Sequence, residues 1–394
     1  MYVLYENEVN EDITKLDKAW SELPTFVFLP NRRGITEEWV EKGIEQLPEN
    51  FQQNHFALLT SGSTGRPKLV IGSRERAEKL VHVLHKVQDS EPAKQTILAL
   101  PLSYCYAFVN QWLWSRVMKR ELILSGGFQK PDNLKKCLLE AENCLLCLIG
   151  AQIPLFVRNY GDNVSFPGVI RLHFAGGPFP QNQIELVKRL FPNARIFNNY
   201  GCAEAMPRLS CRSLEDSNEG SNIGVPLPGI EMRTGNQGEI LFRSPYRAVG
   251  FYDDSGLRIP LDEDWIASGD FGEPIENNYW RIKGRSDEVF KRYGEKISIP
   301  QLLDTVYTQW SGQAVFYQEM TASGEQGHVL VLSPEPTKEQ VQGILQSFRR
   351  NHPRTHWPIR LESIPSMPYL PSGKIDKFAF PGNKNLTVHW KQRI

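Results

Sequence analysis

Lys68 closes an unusual run of small residues, Thr60-Ser61-Gly62-Ser63-Thr64-Gly65-Arg66-Pro67. Amides and hydroxyls in such a run can donate to phosphoryl oxygens. Glycines let the main chain approach them closely, and a lysine adds charge. The chemistry this predicts is polyphosphate binding, by a loop other than the P-loop, because GxxxxGK[ST] does not occur. Four further sites could do chemistry. Asn198-Asn199-Tyr200-Gly201-Cys202-Ala203-Glu204 joins a flat ring with stacking area to a hard oxygen ligand suited to Mg²⁺. Ser268-Gly269-Asp270 holds a carboxylate on a glycine turn, able to accept from hydroxyls. Arg285, in Gly284-Arg285-Ser286-Asp287, is a cation beside a glycine. Lys374, in Pro371-Ser372-Gly373-Lys374, is an ammonium that could stabilise charge developing on phosphoryl oxygens.

The elements that must position these groups can be read from apolar periodicity. Phe56-Ala57-Leu58-Leu59 reads as a buried strand before the loop. Ala77, Leu80, Val81, Leu84 and Val87 recur at helical spacing after it, so the order expected is strand, loop, helix. Strand-like runs at 96–100, 121–124, 144–149 and 170–174 alternate with amphipathic stretches, which argues for α/β layers on a mostly parallel sheet. From Gly224 to Ile282 short β-like pieces separated by Gly, Asn and Asp suggest a more antiparallel subdomain. A helical run near Lys338–Arg350 belongs to a small α+β unit. The fold class expected is therefore α/β: a large N-terminal domain over 1–284 and a small mobile C-terminal domain over 285–394.

Composition narrows the function classes. Lys plus Arg and Asp plus Glu number 45 each, so no global field favours nucleic acid or an anionic membrane. The apolar stretch from Cys144 to Ala151 is too short to span a bilayer. MYVLYENEVNED has neither a basic start nor an apolar core, which leads us to expect a cytoplasmic protein. The six cysteines are expected to stay reduced. Cys144 and Cys147 form a CxxC inside the apolar run CLLCLIG, which reads as a strand and not as a metal site.

Taken together, the five motifs resemble, in order, those of the AMP-forming adenylating superfamily: acyl- and aryl-CoA ligases, luciferases and nonribosomal peptide adenylation domains. The resemblance runs from Phe56 to Lys377. It implies that Thr60, Ser61, Gly62, Ser63, Thr64, Gly65 and Lys68 hold the phosphates of ATP. Asn199, Tyr200 and Gly201 would meet adenine together with Gly176 and Gly177, whose Gly-Gly-Pro turn is similar to the family's. Glu204 would bind Mg²⁺. Asp270 would hold the ribose, with Arg285 on ribose and phosphate. Asp287 would be the hinge, Gly294 would line the thiol channel, and Lys374 would be catalytic. Ala203 departs from the pattern, standing where a threonine hydroxyl is usual. The 59 residues before Thr60 are fewer than the family's usual number, so a shortened first subdomain is expected.

The segment from Pro101 to Trp112 matches the part of the family that shapes the acyl pocket, with Tyr104, Tyr106 and Phe108 as candidate walls. No acidic residue lies between Leu98 and Arg120, so a substrate ammonium would have no counter-ion there. An aryl or acyl acid without an α-amino group is favoured. The acceptor would be the thiol of coenzyme A or of phosphopantetheine on a free acyl or peptidyl carrier protein. Two alternatives stay open: amino-acid adenylation for nonribosomal peptide synthesis, and a catalytically silent nucleotide-binding regulatory protein.

Overall fold

The computed structural model describes residues 2–22, 24–31, 37–61, 67–161, 163–177, 179–217, 219–285, 289–293, 295–321, 324, 326–370 and 375–392. The chain divides into two compact units. The first is Met1–Ser268 with Glu273–Ile282, and the second is Gly269–Gly272 with Lys283–Ile394.

Two sheets organise the first unit. In the larger, strands Glu121–Leu124, Gln95–Leu98, Cys144–Leu148, Val169–Phe174 and Arg195–Tyr200 lie side by side, all parallel. This is the α/β pattern the alternation predicts. Cys144–Leu148 is buried at every position, and all six cysteines are free thiols. The antiparallel strands Ser210–Ser213 and Asn222–Pro226 continue the same sheet. The β-rich stretch expected after Gly224 is thus largely an extension of this sheet. Its strands Gly250–Asp253 and Gly256–Arg258 instead join the second, six-stranded sheet.

That second sheet corrects the expected strand–loop–helix order. Strand His55–Ser61 is followed by another strand, Pro67–Ser73, antiparallel to it, with Thr60 opposite Lys68. Leu69, Val70 and Ile71 are buried and pair with Leu59, Leu58 and Ala57, so three apolar residues suffice for a strand when a partner is adjacent. The helix begins only at Arg74, where the Ser73 hydroxyl accepts from Arg76 N, and runs to Val87. Its Ala77, Leu80, Val81 and Leu84 are buried, as their spacing predicts.

In the second unit a four-stranded sheet runs Gln313–Met320, Gln326–Ser333, Arg360–Ser363, Thr387–Lys391, with its middle pair parallel. Helices Ile299–Tyr307 and Lys338–Asn351 cover it, burying Leu302, Val306, Ile344 and Phe348 against Leu330, Leu332 and Leu361. The Thr337 hydroxyl and the Gln340 amide cap the second helix reciprocally.

Candidate active site

The hairpin aims Lys68 at Glu204. Lys68 Nζ donates to Glu204 Oε1 at 2.9 Å across 136 positions of sequence, and the two side chains are 23% and 20% exposed. Lys68 Nζ also lies 5.4 Å from the centre of the Phe251 ring on the neighbouring strand. Glu204 sits in the short turn Ala203–Ala205 just after strand Arg195–Tyr200, and Ala248 N donates to its backbone oxygen at 3.0 Å. Gly201 makes that turn possible. A Cβ there would stand 1.9 Å from Pro207 O and 2.8 Å from Arg208 Cα, so any larger residue would collide with backbone. The structure thus brings two of the predicted groups, Lys68 and Glu204, into contact, with Tyr200 ending the strand that leads to Glu204.

Gly176 adopts φ +76°, and an added Cβ at Gly177 would meet nothing within 4 Å, so this turn leaves space beside it. Asn199 is buried. Its Oδ1 accepts from Gln88 Nε2 at 2.7 Å while its Nδ2 finds no acceptor. In the second unit Asp270 is buried and Arg285 Nη1 lies 3.3 Å from its Oδ1. Thr60 and Ser61 end the first hairpin strand. Gly62, Ser63, Thr64, Gly65, Asp287, Gly294 and Lys374 lie outside the described residues.

The three candidate pocket walls do not behave alike. Tyr104 precedes a short buried helix, Cys105–Ala107, which continues as a wide π-type turn over Phe108–Leu113. Phe108 is a core residue: its fully buried ring meets those of Trp20, Phe28, Phe56 and Trp112 at centroid distances from 4.7 to 6.1 Å. Tyr106 turns toward the parallel sheet, where its hydroxyl donates to His173 O at 2.9 Å. Burial raises its phenol well above the usual range; Cys147 adds to this and Arg208 opposes it. Burial likewise pushes the thiols of Cys105 and Cys147 up to about 12, so both are neutral and neither can serve as a thiolate nucleophile.

Sequence reasoning passed over two residues here. Arg208 is completely buried and stacks over the Tyr106 ring at 5.2 Å. His173, also completely buried, is held neutral by burial first and then by Arg208 and Arg171. The available signal was weak: a histidine within the strand-like run Val169–Phe174, and an arginine in the apolar context Ala205-Met206-Pro207-Arg208-Leu209.

A model of the family described as AMP-binding enzyme matches residues 4–252. The 3-[(3aS,4S,7aS)-7a-methyl-1,5-dioxo-octahydro-1H-inden-4-yl]propanoyl:CoA ligase of Rhodococcus jostii is 22% identical over 331 residues, covering 81% of this chain and 63% of that one. The D-alanine–D-alanyl carrier protein ligase of Streptococcus pneumoniae is 24% identical over 279 residues, 64% of this chain and 53% of that one. The chain therefore spans less than two thirds of the length of these relatives. The o-succinylbenzoate CoA synthetase of Bacillus subtilis, solved with its acyl-adenylate, superposes with a TM-score of 0.73 at 14% identity, over 98% of this chain and 88% of that one, a likeness of fold. With the family match covering well over half of its residues, this chain belongs to the AMP-binding enzyme family.

Proposed function

We propose that the protein activates a carboxylic acid lacking an α-amino group as its acyl-adenylate and passes the acyl group to a thiol. In the first step a carboxylate oxygen of the acid attacks the α-phosphorus of ATP. The bond to the β-phosphate breaks and pyrophosphate leaves. In the second, a thiolate attacks the acyl carbon and AMP leaves with the bonding pair. The thiol belongs to coenzyme A or to phosphopantetheine on a free carrier protein. The names of the Rhodococcus and Streptococcus relatives support one acceptor each.

The observation that carries this reading is the Lys68–Glu204 pair at 2.9 Å within the family-matched region. It brings together a cation suited to phosphate and a carboxylate suited to a divalent ion. The residues fit MgATP. Gly177 leaves open space beside its turn, and Tyr200 ends the adjacent strand. Mg²⁺ commonly uses one or two protein carboxylates and completes its shell with phosphate and water. Glu204 would hold it, and the ion would neutralise charge on the phosphates. Lys68 and the Thr60–Gly65 loop orient those phosphates. Asp270 holds the ribose with Arg285 beside it. Lys374 supplies the ammonium that meets the charge developing at the α-phosphate, and residues 285–394 turn about Asp287 to bring Gly294 to the thiol.

Against an amino-acid substrate stand the acid-free segment 98–120 and the buried cation Arg208, which would repel an ammonium. ATP–pyrophosphate exchange across aryl, acyl and amino acids tests the proposal. Exchange with acids lacking an amino group is expected. Exchange with amino acids alone would shift the reading to peptide synthesis, and none at all would make the chain a silent nucleotide binder.

A further inference from the structure

Among the described residues of the first unit, Arg208 is the least compensated buried charge. Its side chain is 0% exposed. Nη2 donates to Asn110 Oδ1 at 2.5 Å, while Nε and Nη1 have no acceptor, and no carboxylate among the described residues pairs with it. Its other neighbour is Tyr106, which meets the guanidinium with its ring face and also hydrogen-bonds to it through the hydroxyl. Arg212 and Arg247, also buried, differ: each donates to backbone carbonyls, Arg212 to Asn222 and Ser217, Arg247 to Ala248 and Leu261. A guanidinium remains charged when buried, and holding one without an anion costs several kcal/mol, about, after relaxation. Native interiors seldom leave such donors unsatisfied unless something else supplies the acceptor.

Its immediate contacts among the described residues supply no anion, although the charge of Glu204 reaches the Cys105 thiol. His173 is buried with both ring nitrogens unpartnered, and as a neutral ring it offers one more N–H. The thiols of Cys105 and Cys147 are protonated. Arg208, Tyr106 and His173 therefore form a group rich in donors and without a negative charge. The group has a place in the fold. His173 and Cys147 lie near the carboxyl ends of two adjacent parallel strands, where open α/β sheets receive ligands. Arg208 is four residues beyond Glu204, and Cys105 lies on the helix that opens the segment of the acid site.

We propose that Arg208 is the specificity residue of the acid site and receives a second anionic group of the substrate, so that the acid activated is a dicarboxylate. This rests on the acid-activating function proposed above. One carboxylate reacts at the α-phosphate near Glu204. The other accepts from a free guanidinium donor, Nε or Nη1, as a charge-assisted hydrogen bond of the kind arginine offers carboxylates. A monocarboxylate of equal length leaves the guanidinium unpaired, and discrimination against ligands that strand a buried polar group is large.

The test uses the full chain and matched acids: succinate against butanoate, glutarate against pentanoate, phthalate against benzoate. In pyrophosphate exchange, the best diacid should exceed its monoacid partner by at least about a hundredfold in kcat/KM. Arg208→Met should erase or invert that ratio, and Arg208→Lys should retain part of it. Thermal shift without ATP gives a readout independent of catalysis. Diacids, and not monoacids, should raise the melting temperature of the wild-type chain, and Arg208→Met should lose the effect. Arg208→Met should itself melt at or above the wild type, because an unpaired buried cation has been replaced by an apolar chain. A wild-type preference for monoacids, or no difference between paired acids in both assays, overturns the proposal. So does a marked fall in the melting temperature of Arg208→Met, which would make Arg208 a structural cation. If no acid supports exchange while diacids still stabilise the wild type through Arg208, the adenylation reading fails and the anion site stands.

Discussion

Breaking the Lys68–Glu204 pair from its two ends should move nucleotide affinity in opposite directions. At 2.9 Å the bare attraction is about 6 kcal/mol at an effective dielectric near 20. Both side chains are about one-fifth exposed, so water screens the pair and desolvation offsets most of the rest, leaving about 1–2 kcal/mol. ATP must draw Lys68 away from Glu204, and without a divalent ion the Glu204 carboxylate also repels the phosphates. Glu204→Gln removes both costs and should tighten Mg²⁺-free ATP by up to about tenfold, the equivalent of 1.4 kcal/mol. Lys68→Met does the reverse. It removes the cation and leaves Glu204 facing the phosphates, and should weaken Mg²⁺-free ATP by about ten- to a hundredfold. With Mg²⁺ present, both variants should lose turnover. Isothermal titration with ATP in chelator, repeated with Mg²⁺, reads both effects. If Glu204→Gln weakens Mg²⁺-free ATP as much as Lys68→Met does, the carboxylate does not compete with phosphate for Lys68, and the reasoning fails.

Gly201→Ala should lower the melting temperature and impair exchange together, because its Cβ would stand 1.9 Å from Pro207 O; overpacking of this kind costs about 1–3 kcal/mol. Full activity in that variant would mean the 201–208 loop can move. Lys374→Ala should abolish pyrophosphate exchange while leaving ATP affinity within about threefold, since the role proposed for it lies in the transition state; unchanged exchange would remove it from the catalytic set. Stability should fall as pH drops below about 6.5, where unfolded histidines take up protons. Burial holds His328 down to about 3 and His173 well below its usual value, so both stay neutral in the fold while the unfolded chain binds protons. Glu6 and Asp304, raised by burial, act with the opposite sign at the lower end of this range. His328→Gln should therefore flatten the acid limb of a melting-temperature profile, and an unchanged limb would refute its contribution.

The parallel strands were legible because Cys144–Leu148 is a continuous apolar run, the mark of a strand covered on both faces, and Val169–Phe174 is apolar but for Arg171 and His173. The helix after Ser73 was legible because four buried residues recur at helical spacing. The strand Pro67–Ser73 was not, since its apolar content is only Leu69, Val70 and Ile71, and its stability comes from pairing with His55–Ser61. Aromatic character alone could not separate Tyr106 from Phe108. One donates to His173 O while the other is enclosed by four rings, a difference set by tertiary packing. Arg208 was invisible for a related reason: sequence gives an arginine's charge, but only the fold reveals that two of its nitrogens find no acceptor inside.

On the proposed function, the nucleotide and acid ends of the site are tied by one short closed loop. Strand Arg195–Tyr200 leaves at Gly201, and the chain returns to pair Ser210 opposite Tyr200. Between them, Ala205 N donates to Cys202 O at 3.0 Å, Arg208 N to Ala205 O at 3.3 Å, and Leu209 N to Tyr200 O at 2.9 Å. Pro207 presses on Gly201 where a side chain would otherwise stand. Glu204 lies at the tip of this loop and Arg208 at its base, so its backbone bonds set the span between them. In the proposed chemistry that span is the distance from the phosphates to the far end of the acid. A loop held by four internal backbone bonds, Met206 N to Ala203 O at 3.1 Å being the fourth, and closed by the strand pair that flanks it can measure substrate length as well as charge. Preorganisation of this sort places the reacting carboxylate near the α-phosphate at little entropic cost once the distal group is seated.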